Sequence, residues 1–145
     1  MPDKIVSVLH VEDDMIDARL LRTIFAKHKI LNPLYRAADR VEALEMLRGE
    51  NGRQRLERPY VILLDMKMPR MDGSEFLRLL RADPELKDSD VFMLATFVRD
   101  EENAAADQHT VTGHLDKSDL GEDGSRLVEL LQEYWHVMDV PPNSQ

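Results

Sequence analysis

The chain has 145 residues, 43% of them hydrophobic, a net charge of −9 and no cysteine. That length suits one domain with a single core. The acidity excludes unassisted binding to nucleic-acid phosphates or anionic lipid, and the missing thiols exclude disulfides, thiolate metal sites and thiol catalysis.

Met1-Pro2-Asp3-Lys4 leads straight into a strand rather than a signal peptide, and no apolar run approaches membrane-spanning length, so a cytoplasmic location is the default expectation. Ile5 to Val11 is short and β-branched and stops abruptly at Glu12-Asp13-Asp14, which marks its carboxyl end. Asp14 is placed to cap a helix from about Met15 to Lys29, with Ile16, Leu20, Ile24 and, beside them, Leu21 and Phe25 on one broad face. Asn32-Pro33 breaks it. Leu34 to Ala38 predicts a second strand, and Asp39 with Glu42 makes a capping-box start for a helix running through Val41, Leu44 and Leu47 to Gly49. The polar stretch from Glu50 to Pro59 reads as an exposed loop without assigned chemistry.

Val61-Ile62-Leu63-Leu64 is apolar at every position, the pattern of a strand covered on both faces, and it delivers Asp65 at its end. Pro69 and Asp72-Gly73 bring turn chemistry just beyond, so the backbone there folds back around whatever Asp65 touches. A helix then turns Phe76, Leu77 and Leu80 inward and stops at Asp83-Pro84. Val91 to Thr96 is the fourth strand, Asp100 to Gln108 is helix-compatible, and Thr110 to Asp116 is a short fifth strand delivering Lys117. The last helix begins near Asp123 or Ser125. Its Leu127, Val128, Leu130, Leu131, Tyr134, Trp135, Val137 and Met138 exceed what one core-facing stripe requires. Five strand–helix alternations without a hairpin signal predict an α/β fold with a doubly wound, five-stranded parallel sheet.

A right-handed crossover at each step keeps the strand ends on one edge, where open α/β sheets hold ligands. Glu12, Asp13, Asp65, the Ala95-Thr96 pair and Lys117 therefore converge. Clustered carboxylates repel one another unless a cation relieves the charge, and a cluster with neither histidine nor cysteine suits Mg2+. Lys117 adds a second positive charge for an incoming anion. The chemistry implied is attack of the Asp65 carboxylate on phosphorus, giving a labile acyl phosphate suited to signalling.

The motifs Val11-Glu12-Asp13-Asp14, Leu63-Leu64-Asp65-Met66-Lys67-Met68-Pro69-Arg70-Met71-Asp72-Gly73 and the strand-terminal Lys117 resemble those of response-regulator receiver domains, over roughly Lys4 to His136. The resemblance implies a flavodoxin-like (βα)5 fold with strand order 2-1-3-4-5. It implies Asp65 as phospho-acceptor, Asp13 as a direct Mg2+ ligand, Glu12 as a ligand through water and the Lys67 carbonyl as a backbone ligand. Lys117 would contact the phosphoryl group. A receiver over residues 4–139 with a tail at 140–145 and no output domain is expected, phosphorylated by a sensor histidine kinase and acting through protein contacts rather than as an enzyme. Tyr134-Trp135-His136 resembles the terminal segment of receivers that partner phytochrome-type kinases, and the surplus apolar face of the last helix suggests a homodimer.

The sequence departs from the family pattern at the end of the fourth strand. Ala95 occupies the register of the usual hydroxyl switch, and Thr96 lies one residue late, so it can substitute only where the strand end bulges or the loop bends. Phe97 stands where small residues are commoner, His114 replaces the aromatic switch residue and Ser118 the proline after the lysine. Two other readings stay open: a degenerate receiver that binds partners without phosphorylation, and an aspartyl-phosphate phosphatase. Against the latter, the residue two after Asp65 is Lys67 rather than an acid.

Overall fold

A computed structural model describes residues 6–65, 67–68, 71–95, 113–116 and 124–137. The strands β1 (Ser7–Val11), β2 (Leu34–Ala37), β3 (Tyr60–Asp65), β6 (Asp90–Ala95) and β7 (Gly113–Asp116) form one sheet in the order β2-β1-β3-β6-β7. All four pairings are parallel. The expected 2-1-3-4-5 order is therefore present, with β3 at the centre.

The helices lie on both faces, as the continuous apolar run of β3 requires. On one face Leu9, Val11, Ile62 and Leu64 pack with Ala43, Leu44 and Leu47 of α2 (Arg40–Arg48) and with Phe76, Leu77 and Leu80 of α3 (Gly73–Ala82). On the other, Val8, Val61 and Leu63 pack with Leu21, Ile24 and Phe25 of α1 (Met15–Lys27) and with Leu127, Val128 and Leu131 of α4 (Ser125–Val137). Alternate residues of each strand thus feed opposite layers. Each fully buried leucine of this kind contributes about 1.5–3 kcal/mol relative to exposure.

The helix ends follow the caps expected of them. The Asp14 side chain accepts from Ile16 N at 2.8 Å and starts α1. Asp39 accepts from Glu42 N at 2.8 Å and caps α2, while the Glu42 carboxylate reaches back past the cap to accept from Ala38 N at 2.7 Å, one residue earlier than a reciprocal capping box requires. Gly49 closes α2 at φ +70, where a Cβ would sit 2.8 Å from that of Arg55. Gly124, at φ +75, admits the start of α4 against Ile24, whose side chain a Cβ would meet at 2.5 Å.

Several expectations are corrected. Ile16 is 76% exposed and Val41 57% exposed; at about 100° per residue Ile16 lies about 140° round the helix from Leu21, and Val41 about 120° from Leu47, so neither shares the buried face of its helix. Leu56, in the loop read as wholly exposed, is buried, and its N–H donates to Met46 O at 2.9 Å. A small antiparallel pair, β4 (Lys67–Met68) with β5 (Met71–Asp72), follows β3 where no hairpin was expected. The helix expected over Asp100 to Gln108 lies outside the described residues. No helix among the described residues is long and apolar enough to cross a membrane.

Candidate metal centre

The carboxyl ends of β1 and β3 build the site. Val11 pairs with Leu64, so the next residues along, Glu12 and Asp65, continue side by side. By alternation both fall on the face of Val8 and Leu63. Glu12 N still donates to Ala37 O at 2.9 Å, which holds the end of β1 to β2 before the chain turns into α1.

Glu12, Asp13 and Asp65 each offer a carboxylate oxygen, and the three atoms lie within 4.8 Å of one another. Glu12 is 0% and Asp65 1% exposed, and Asp13 is half-buried. Two carboxylates withdrawn from water beside a third are unfavourable unless compensated. An all-oxygen donor set of this charge and spacing fits a hard divalent cation.

Neighbouring groups hold this cluster in shape. Glu12 Oε2 accepts from Asp14 N at 3.3 Å, which ties the acid to the helix cap. His10, also buried, places Nε2 at 3.6 Å from Glu12 Oε1, long for a hydrogen bond but close enough for electrostatic contact when the ring is protonated. Arg36 on β2 donates through Nε to Glu12 O at 3.0 Å and through Nη2 to Asp13 O at 3.1 Å. Across the same edge, Arg40 pairs with Glu75 and joins the first turns of α2 and α3.

The structure brings together Glu12, Asp13 and Asp65 from the set read in the sequence. Lys67 lies two residues beyond Asp65, in β4, and Ala95 is the last residue of β6. Thr96 and Lys117 lie outside the described residues, as do Phe97 and Ser118. Arg36 and His10 escaped the sequence reading. An arginine next to the last residue of a strand was the available signal for Arg36, but its two carbonyl partners are set by the β1–β2 register.

This fold and acidic edge define the class of protein. A family profile described as the response regulator receiver domain matches residues 8–132, and the chain belongs to that family. Response regulator Rcp1 of Synechocystis sp. is 29% identical over 134 residues, covering 92% of this chain and 90% of Rcp1. The structure of the Mn2+-bound form of Rcp1 superposes with a TM-score of 0.74 at 28% identity, covering 92% of this chain and 94% of that one. A two-component response regulator from Legionella pneumophila gives a TM-score of 0.77 at 33% identity, over 88% of this chain and 98% of that one. The phosphorylated cyanobacterial phytochrome response regulator RcpA gives 0.78 at 27% identity, over 97% of this chain and 100% of that one. The likeness thus extends to receivers named for phytochrome response.

Proposed function

We propose that this chain is a response regulator whose Asp65 carboxylate accepts a phosphoryl group from a sensor histidine kinase with Mg2+ bound. One observation carries the reading: the buried acid at the end of the central strand lies within 4.8 Å of two further carboxylates from the end of β1. In the transfer, an Asp65 oxygen bonds to phosphorus as the P–N bond to the kinase's phosphohistidine breaks. The bonding pair returns to the imidazole, which takes up a proton. Asp13 would hold the metal directly and Glu12 through water, and the Lys67 carbonyl would supply a backbone ligand. When bound, Mg2+ would supply positive charge to the oxygens of the moving group, and Lys117, which follows β7 in the sequence, would contact them. Thr96 is the candidate hydroxyl sensor.

The receiver spans residues 4–139, with a tail at 140–145, and signals from the cytoplasm through protein contacts rather than as an enzyme. Its likeness to RcpA supports a phytochrome-type kinase as partner. A homodimer through α4 is supported by Tyr134, Trp135 and Val137, which extend that helix beyond the buried Leu127, Val128 and Leu131. A second reading, a receiver that binds partners without being phosphorylated, is favoured by Ala95 at the end of β6, where the family carries a hydroxyl.

Incubation with acetyl phosphate and Mg2+, read by intact mass, tests both. One phosphoryl adduct in the native chain and none in Asp65→Asn supports the acceptor reading. No adduct in the native chain overturns it in favour of the binding module.

A further inference from the structure

We infer that Arg36 is a positioning residue for the cation site, a clamp on the backbone that carries two of its acids. The inference rests on the metal-binding part of the reading above.

Arg36 pairs in register with His10, and Ala37 with Val11, so its side chain starts two rungs below the acidic turn. It runs forward along the β1 edge and spends two donors on successive carbonyls, Nε on Glu12 O at 3.0 Å and Nη2 on Asp13 O at 3.1 Å. Those residues stand between the last rung of β1 and the Asp14 cap, past the paired strand and before the first helical bond, Ala18 N to Asp14 O. The orientation of each carbonyl is the ψ angle of its own residue. Two bonds from one rigid, planar guanidinium therefore fix ψ at both Glu12 and Asp13, and with it the directions in which their side chains leave the backbone. Arg36 is half-buried, which shields these bonds from competing water.

A cation beside the site has a second, opposite effect. As a bare charge Arg36 opposes the entry of a divalent ion; as a clamp it holds the ligands in place for one. The two roles predict opposite signs. Outer-shell supports of this kind are typically worth about 10–100-fold in metal affinity. Lysine at this position keeps the charge but replaces the planar fork with a compact ammonium on a flexible four-carbon stem.

The experiment is calorimetric titration of Mg2+ and of Mn2+ into the native chain, Arg36→Met and Arg36→Lys. Asp13→Asn serves as a control lacking a ligand, and thermal unfolding of each is recorded in EDTA. We expect Arg36→Met to bind both ions about tenfold more weakly at a temperature where it is fully folded, without rescue in Arg36→Lys. Native or tighter affinity in folded Arg36→Met overturns the clamp. Should that variant fail to fold, Arg36→Lys decides: native affinity overturns the proposal and weakened affinity supports it. A native chain that binds neither ion removes the metal reading itself, an outcome distinct from a variant that binds normally.

Discussion

The two edges of the sheet treat charge in opposite ways. At the amino edge, charged and polar groups meet partners within the chain. Arg48 donates to Asp83 at 2.9 Å, the buried Tyr60 and Ser89 hydroxyls share a hydrogen bond at 2.7 Å, and Arg81 donates to the carbonyls of Lys87 and Ser89, each at 2.7 Å. At the carboxyl edge the fold gathers three carboxylates within 4.8 Å, two of them buried. The first arrangement is what stability selects. The second is unfavourable unless it is compensated, and a divalent cation is the ligand that would compensate it.

The largest break in that contrast comes from Asp65→Asn. It should abolish the phosphoryl adduct proposed for the native chain, read by intact mass. In EDTA the same substitution raises stability by about 1 kcal/mol, because one buried like charge is removed from the cluster. A mutation that destroys function while stabilising the apo fold has no counterpart at the amino edge. A destabilised Asp65→Asn in urea denaturation would mean that the cluster is satisfied without a cation.

Next in size is the response to metal. An ion that binds only the folded chain stabilises it by about 2.7 kcal/mol at a hundred times its dissociation constant. Thermal unfolding with and without Mg2+ should show this increment in the native chain and most of it lost in Asp13→Asn. Arg48→Met, at the other edge, should lower the unfolding temperature yet leave the metal increment intact.

The same contrast decides what was legible in the sequence. Features governed by residues near one another along the chain were readable: the uninterrupted apolar run into Asp65, the Asp14 cap, and the Asp39 cap with Glu42 reaching back toward it. The convergence of Glu12, Asp13 and Asp65 followed from topology, because parallel crossovers fix which strand ends share an edge. Contacts that depend on tertiary register were not readable. Arg36 reaching the Glu12 and Asp13 carbonyls, and Leu56 folding back to Met46, join segments whose separation carries no periodic signal. Ile16 and Val41 misled for a different reason. An apolar stripe drawn through every hydrophobic residue of a helix spans a wider arc than the one face the core covers, and the residues at its margin stay in water.

At the amino edge, Tyr60→Phe removes one partner of a buried hydroxyl pair and leaves Ser89 Oγ without it. The expected loss is about 1 kcal/mol, read as a lower urea midpoint at unchanged slope. The phosphoryl adduct and the metal increment should both survive. A matching loss of Mg2+ affinity would couple the two edges and undo the distinction between them.

The smallest effect is also the one with a defined pH signature. Asp83 accepts from Glu85 N at 2.9 Å and from Arg48 Nε at 2.9 Å, and chiefly that backbone hydrogen bond, then Arg48, holds its carboxyl below the ordinary aspartate range. A depressed folded-state value favours the native state wherever the unfolded carboxyl is ionised, so the contribution is complete above about pH 4 and drains as pH falls through the folded value. Asp83→Asn keeps an acceptor for Glu85 N and loses the charge, costing under about 1 kcal/mol for a pair this close to solvent. Urea unfolding of the two chains should therefore differ at pH 7 and converge as pH is lowered from 5 toward 3. A gap that stays constant over that range would assign the cost to packing of the amide rather than to the lost charge, and this pair would cease to be an example of charge matched within the chain.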